Sequence, residues 1–205
     1  MMKLPNFACA LFALQLLTCG IAEAIAQPHL PAKSYLTGQF LVASQQMADP
    51  NFARAVIYMV AYSEEGAVGV IVNRVIGNIS FRQLLAPFGI KTRVRKKINV
   101  YLGGPVEIDR ALILHSPDYT GAGTRQLGQG IALSAKPDVL QALAEGKGPK
   151  QSRLILGYAG WSAGQLDHEL ARGDWLVAPA DPSLIFSTAP EEIWGKALLH
   201  AGISL

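Results

Sequence analysis

The alternation of apolar and polar positions is clearest between residues 38 and 74. Apolar segments rich in β-forming residues run from Ala55 to Tyr62 and from Ala67 to Asn73, and the polar run Ser63–Gly66 separates them. Two such segments joined by a short loop that contains glycine are typical of a β-hairpin. Gln39–Ser44 has the same apolar character, so we expect three strands to form the centre of a sheet.

Capping signals and helical spacing predict a few short helices. Ser80–Gln83 has the form of a capping box, and the apolar residues after it recur at helical spacing until Gly89. Further helices are expected at three places: from Pro137 to Gly146, over residues 164–172, and after a second capping box at Thr188–Glu191.

Several predicted strands follow one another without a helix between them. Glycine and polar residues dominate residues 116–130, which predicts a mobile surface loop at that point. This order favours an α+β fold with a mixed, largely antiparallel sheet over a doubly wound parallel sheet. The chain has 205 residues, of which 50% are hydrophobic and 16% charged, so it is expected to form a single globular domain.

The first 26 residues have the pattern of a secretory signal peptide. Lys3 gives a positive start, an apolar run follows from Phe7 to Leu17, and small residues permit cleavage after Ala24 or Ala26. The apolar run is too short to span a bilayer, so we expect no membrane span in the mature chain. These features predict a periplasmic or secreted protein, whereas a misread leader would leave it in the cytoplasm.

The leader changes what chemistry the mature chain can perform. Residues 27–35 are predicted to be an extended lead-in to a domain over residues 36–205. Both cysteines, Cys9 and Cys19, lie in the leader, so the mature chain would have no disulfide, thiolate nucleophile or cysteine-ligated metal.

Positive charge is concentrated in one short stretch. Five basic residues occupy seven positions: Lys91, Arg93, Arg95, Lys96 and Lys97. The stretch is either a solvated loop or a contact surface for acidic partners, anionic lipid head groups or nucleic acid. It lacks the interleaved aromatic residues of a base-stacking platform, and the chain shows no helix-turn-helix pattern with a basic recognition helix.

One motif has the form of a nucleophile elbow. Gly160–Gly164 fits G-x-S-x-G between a predicted strand and a predicted helix, which makes Ser162 a candidate nucleophile. Asp174 or Asp181 could then act as the acid and His200 as the base. The antiparallel pattern does not supply the parallel βα units of a hydrolase, and Ser162 is equally compatible with a helix cap.

Other candidate binding residues have structural alternatives. Gly103 and Gly104 could present backbone N–H groups to an anion or form a tight turn. His115 ends a predicted strand beside a glycine-rich loop, where it could bind a ligand or form structural hydrogen bonds. Trp161 fits a core aromatic or the lining of a small pocket. No spacing predicts a metal site, because the four histidines are far apart: His29, His115, His168 and His200.

Four motifs in order make the chain resemble the YqgE/AlgH family. They comprise residues 36–41 with 47–52, residues 66–74, residues 103–106 with 114–115, and residues 157–166. The resemblance covers nearly all of residues 36–203. It implies an α+β fold whose bifurcated, partly barrel-like sheet is surrounded by helices, and it implies no established catalytic residues and no cofactor.

The leader departs from the family pattern, because family members usually start near the first motif. The family sometimes carries the label of transcriptional regulator, but an exported protein cannot reach the chromosome. We therefore expect an exported, non-enzymatic binding or interaction domain whose partner is a protein or small ligand, and an oligomer is possible. The alternatives are a cytoplasmic regulator, with Arg93, Arg95 and Lys96 contacting nucleic acid, and a serine hydrolase that uses Ser162.

Overall fold

Ten β-strands form a single sheet in the part of the chain that the structure describes. The structure is a computed structural model that describes residues 35–203, so the predicted leader and nearly all of the predicted lead-in lie outside it. The strands are β1 Gln39–Ala43, β2 Val56–Ser63, β3 Gly66–Ile71, β4 Val75–Ser80, β5 Lys97–Leu102, β6 Val106–His115, β7 Thr124–Gly128, β8 Ile131–Ser134, β9 Ser152–Ser162 and β10 Trp175–Pro179.

The predicted hairpin forms the centre of this sheet. β2 and β3 pair antiparallel from Ile57 and Ile71 to Ser63 and Gly66, so the two-residue turn is Glu64–Glu65. β1 pairs antiparallel with β2 on one side and with β10 on the other, which gives the order β10-β1-β2-β3-β9-β6-β8-β7. The hairpin prediction and the largely antiparallel α+β fold are both confirmed.

The sheet divides at β9, the longest strand. One edge of β9 pairs antiparallel with β6. Its other edge pairs with two strands in turn: the segment Leu154–Leu156 is parallel to β5, and the segment Ala159–Ser162 is antiparallel to β3. β5 also pairs with β4, so these two strands form a branch that leaves the main sheet at β9. This is the bifurcation that the family resemblance implied.

Short helices cover the sheet. They are α1 Phe81–Leu85, α2 Asp138–Ala144, α3 Gln165–Ala171, α4 Pro182–Phe186 and α5 Pro190–His200. The capping box predicted at the start of α1 is present, because Ser80 accepts from the Gln83 N–H and the Gln83 side chain accepts from the Ser80 N–H. Such a cap contributes about 1 kcal/mol to helix stability.

The two hydroxyl caps expected elsewhere are absent. α5 has Ala189 as its N-cap with no side-chain hydrogen bond, because the Thr188 hydroxyl instead donates to the Ser183 carbonyl. α3 begins after Gly164, which takes a φ of 71° and leaves the Ser162 hydroxyl outside the cap. The cap predicted at Thr188 was therefore wrong by one position, and the alternative of a cap at Ser162 does not occur. The spacing of polar residues alone does not determine the position of a cap.

The loop predicted over residues 116–130 was wrong in part. Thr124–Gly128 forms β7, which pairs antiparallel with β8. β4 and α4 were not predicted. β4, β7 and α4 are all short. β4 and β7 are largely exposed and contain glycine, and α4 starts with proline, so tertiary contacts rather than local propensity determine these elements.

Candidate functional site

The curl of the sheet creates a cavity on its concave face. Its volume is about 370 Å³, and it is lined by residues of six strands, β2, β3, β6, β7, β8 and β9, that are consecutive in the sheet order. A flat sheet could not bring β2 and β7 to one cavity, because four strands separate them in that order. The apolar lining residues are Val60, Val68, Val70, Leu112, Leu133 and Ala135.

Arg125 joins the two distant edges of this curl. It lies on β7, and its Nη2 donates to the carbonyl of Val60 on β2 at 2.8 Å. Arginine has five N–H donors, and this is the one hydrogen bond that Arg125 makes to the described residues. Among residues 35–203 no carboxylate forms an ion pair with it. Arg125 therefore brings an uncompensated positive charge and unused donors to an apolar cavity.

A second polar group lies at the cavity, built on a bulge in β6. The pairing of β6 with β9 is irregular between Val106 and Ala111, and Glu107 has a φ of 47°. Glu107 accepts from the Tyr158 hydroxyl at 3.0 Å and from Arg110 Nη1 at 3.0 Å. Arg110 and Tyr158 both line the cavity.

These hydrogen bonds shift the pKa values of Glu107 and Tyr158. Donation from Arg110, and then from Tyr158, lowers the pKa of Glu107, because both stabilise the carboxylate. The same bond to Glu107 raises the pKa of Tyr158. At neutral pH the arrangement is therefore an ionised carboxylate beside a protonated phenol, and the charge of Arg110 is balanced whereas that of Arg125 is not.

Tyr58 is a buried residue of β2 near Arg125. Burial raises its pKa to about 12, and the charge of Arg125 acts weakly in the opposite direction. Its buried hydroxyl has no hydrogen-bond partner among the described residues. The cavity therefore combines an apolar lining with the cation of Arg125, the Arg110–Glu107 pair and the phenol of Tyr158.

The four candidate triad residues lie at four separate places in the fold. Ser162 is exposed at the end of β9, where its backbone N–H donates to Gln165 Oε1 at 3.1 Å. Asp174 accepts from Arg172 at 2.6 Å, Asp181 caps α4 by accepting from the Ser183 N–H, and exposed His200 ends α5. Within residues 35–203 no hydrogen bond links the Ser162 hydroxyl to any of them.

Trp161 belongs to a buried aromatic cluster beside α3. Its indole N–H donates to Glu169 Oε2 at 2.8 Å, and the indole N–H of Trp175 donates to the same oxygen at 2.8 Å. The other oxygen of Glu169 accepts from Gln165 at 2.9 Å. Phe52 packs against both tryptophan rings. Glu169 therefore fixes the orientation of two core tryptophans.

Gly103 and Gly104 allow a close approach to β9 and do not form an anion site. The Gly103 N–H donates to the Leu156 carbonyl at 2.7 Å, so it has no free donor to offer. A Cβ on Gly104 would lie 2.2 Å from the carbonyl carbon of Tyr158, and Gly104 has a φ of 155°. Close backbone contact, rather than a tight turn around an anion, explains these glycines.

His115 is a structural residue of the core. It is fully buried, its Nδ1 lies 2.7 Å from the Ser116 carbonyl, and its Nε2 lies 3.0 Å from Ser134 Oγ. Burial lowers its pKa because the imidazolium form loses hydration. Both ring nitrogens are used within the protein, so neither is free for a ligand.

The basic stretch runs along an extended segment before β5. Arg93, Arg95 and Lys96 are all exposed, whereas Val94 between them is partly buried. Lys96 and Lys97 border a second groove, separate from the concave cavity.

The sequence profile of the AlgH-like family matches residues 40–205. The chain belongs to this family. A UPF0301 protein of Methylococcus capsulatus is 53% identical over 179 residues, which is 87% of this chain and 98% of that relative. The UPF0301 protein AlgH of Pseudomonas aeruginosa is 42% identical over 174 residues, which is 84% of this chain and 92% of AlgH.

Two solved structures share the fold. The solution structure of AlgH from Pseudomonas aeruginosa matches with a TM-score of 0.72 at 41% identity, over 85% of this chain and 93% of AlgH. A crystal structure of a Corynebacterium diphtheriae protein matches with a TM-score of 0.63 at 25% identity, over 84% of this chain and 88% of that one. The predicted family is therefore confirmed.

Two features are absent from the described residues. Over residues 35–203, none of the helices combines the length and the apolar character needed to cross a bilayer. The same part of the chain contains no group of three or more histidine, cysteine, aspartate or glutamate side chains placed to hold a metal ion.

Sequence reasoning missed Arg125 and Arg110, the two charged residues that line the concave cavity. Arg125 lay in the segment predicted to be a loop, and Arg110 lies in a bulge that interrupts β6. The one signal for Arg125 was the alternation of Thr124, Gln126 and Gly128 with Arg125 and Leu127, which is too short and too polar to identify a strand.

Proposed function

We propose that this AlgH-like chain is an exported, non-enzymatic binding domain whose concave cavity takes a small organic anion with an apolar body. The observation that carries the proposal is Arg125, a cation without a carboxylate partner among the described residues, at the rim of an apolar cavity. Small-ligand sites are typically apolar pockets of about 300–1,000 Å³ with a few placed polar groups, and this cavity fits that description.

The anion requirement follows from the charge balance. Arg110 is paired with Glu107, so the cavity has one net positive charge, from Arg125. An anionic group at the rim would accept from the unused N–H donors of Arg125, while an alkyl or aryl body would cover the valines below. A neutral ligand of the same shape would gain the apolar contact without the charged hydrogen bond.

The direct test uses decanoate and decanol as matched probes. Each is titrated against the fluorescent anion 8-anilinonaphthalene-1-sulfonate bound to the mature protein, with Arg125→Gln, Arg125→Lys and the exposed control Arg82→Gln as variants. A hydrogen bond to a charged group contributes about 1.5–3 kcal/mol, so Arg125→Gln should weaken decanoate binding about 10-fold to 100-fold. Arg125→Lys and Arg82→Gln should retain decanoate binding, and decanol should bind all variants alike.

Two results would reject this assignment. Failure of decanoate to displace the fluorescent probe would show that the cavity does not take such anions. An equal loss of decanol and decanoate in Arg125→Gln would show that Arg125 acts only by closing the sheet onto Val60. Far-ultraviolet circular dichroism of each variant separates either result from unfolding.

Export and the lack of catalysis are tested separately. Residues 1–35 fused to a reporter that is active only outside the cytoplasm should give activity, which a cytoplasmic protein would not. A fluorophosphonate probe should leave the folded protein unlabelled. Labelling that disappears in Ser162→Ala would replace the binding proposal with a serine hydrolase.

A further inference from the structure

A second site is independent of the concave cavity and lies where the sheet divides. The parallel ladder between β5 and β9 starts at Val100 and Leu154, although β5 begins at Lys97 and β9 at Ser152. By count Ile98 stands opposite Ser152, yet these two residues are not paired. The two strands therefore separate toward their N-terminal ends and leave a slot between residues 94–98 and residues 148–152.

The slot is a groove of about 490 Å³ with an apolar base. Phe81, Leu143 and Phe186 lie at its base, and Val94 and Ile98 face it from the β5 side. Phe81 is buried in the core cluster that α1 and α2 cover. The groove therefore has apolar side chains at its base that apolar side chains of a ligand can contact.

The rim of the slot has a single sign of charge. Lys96 and Lys97 line one side and Lys150 the other, and no carboxylate lines the groove. None of these three ammonium groups forms an ion pair with a described residue. Asp118 accepts from the Lys150 backbone N–H at 3.2 Å but lies outside the lining.

We propose that the slot between β5 and β9 binds an extended acidic segment of a partner protein by strand addition. Before Val100 and Leu154 the facing edges of β5 and β9 are not paired with each other, and a third strand can pair with such edges, which is the physical basis of recognition by β-augmentation. The backbone N–H groups of Lys150 and Gln151 are already bonded within the protein, so the edges to be used are those at Lys97 and Ser152. Because side chains alternate along a strand, one face of the segment would place apolar residues on Phe81 and Leu143. The other face would place carboxylates at Lys96 and Lys150.

This occupant fits the slot better than the alternatives considered for the basic stretch. A bilayer surface is flat and would not reach the base at Phe81. Nucleic acid would need aromatic side chains on which bases stack, and the lysines of the rim are not interleaved with exposed aromatic residues. An acidic strand uses the lysines, the apolar base and the unpaired facing edges of β5 and β9 together.

The test measures fluorescence anisotropy with a labelled peptide of alternating glutamate and valine. Lys96→Glu combined with Lys150→Glu should weaken binding about tenfold or more, since two ion pairs become two repulsions. The matched control, Lys136→Glu combined with Lys196→Glu, changes the net charge equally at exposed positions outside the slot and should bind as the unchanged protein does. A peptide N-methylated at alternate amides should lose binding because it cannot extend the ladder.

Several outcomes would overturn the proposal. They are no saturable binding of the peptide, an equal loss in both double variants, undiminished binding of the N-methylated peptide, or displacement by single-stranded DNA or anionic vesicles at equal charge concentration. If the slot variant does not fold, amide hydrogen exchange of the unchanged protein decides the question. Bound peptide should then protect residues 94–98 and 148–152, and unchanged exchange there would reject strand addition.

Discussion

Replacing Glu169 tests whether one carboxylate holds the aromatic cluster together. Glu169 Oε2 accepts from the buried indole N–H groups of Trp161 and Trp175, whose exposed fractions are 6% and 3%. Glu169→Leu removes both acceptors, and a buried donor left without a partner costs about 1–3 kcal/mol. The two donors share one acceptor oxygen, and the cleft beside Glu169 is open to solvent, so water can replace part of the loss. We therefore expect the free energy of unfolding to decrease by about 2–3 kcal/mol.

Glu169→Gln is the discriminating partner variant. Its amide oxygen can still accept from both indoles, and Gln165 can rotate its own amide to meet the new NH₂ group, at the loss of the exposed bond from the Ser162 N–H. This variant should lose about 1 kcal/mol or less. Glu64, which is exposed in the hairpin turn, supplies the control, since Glu64→Leu and Glu64→Gln should both lie within about 0.5 kcal/mol of the unchanged protein.

The assay is equilibrium unfolding in urea followed by far-ultraviolet circular dichroism, because fluorescence would report on the altered tryptophans themselves. With a slope of about 2 kcal/mol/M, Glu169→Leu should lower the midpoint by about 1–1.5 M. Equal midpoints for Glu169→Leu and Glu169→Gln would refute the reasoning, because they would show that the indole hydrogen bonds contribute nothing beyond the space that the side chain fills.

Two further predictions concern the core. Gly104→Ala should destabilise the protein by about 3 kcal/mol or more in the same urea assay, because the added Cβ would overlap the Tyr158 carbonyl. Gly160→Ala is the control: its added Cβ would lie 3.5 Å from the Tyr158 ring, so it should lose less than about 1 kcal/mol. Equal losses in the two variants would contradict this prediction. Burial lowers the pKa of His115, so the unfolded chain binds a proton as pH falls below 6.5 while the folded chain does not. The free energy of unfolding should therefore decrease as the pH is lowered from 6.5 toward the pKa of His115 in the folded protein. His115→Asn should remove this pH dependence. If the variant keeps it, the dependence arises from other groups.

The elements that sequence could predict are those in which local pattern and tertiary role agree. The β2–β3 hairpin has continuous apolar strands around a polar turn, and Ser80 and Gln83 cap α1 through a contact that spans three residues. β7 could not be predicted in the same way. It is exposed at an edge of the sheet, and what fixes it is pairing with β8 and the bond from Arg125 to Val60, 65 positions away in sequence.

The candidate sites also depend on contacts between residues that are distant in sequence, so local pattern could not predict them. His115 and Trp161 were singled out because of their residue types, and the structure engages both in hydrogen bonds within the protein. Arg125 carries the cavity proposal because no described carboxylate pairs with it, a property that depends on neighbours brought together by the curl of the sheet. Spacing along the chain does not encode which charges remain unbalanced after folding.

Both proposed sites border β9. A strand has two edges, and β6 occupies one edge of β9 along most of its length, so β5 and β3 share the other. The ladder with β5 starts at Leu154, and the slot lies just before that point, at Ser152. The ladder with β3 starts at Ala159, and Tyr158, the residue before it, lines the concave cavity. One strand therefore contributes residues to both sites.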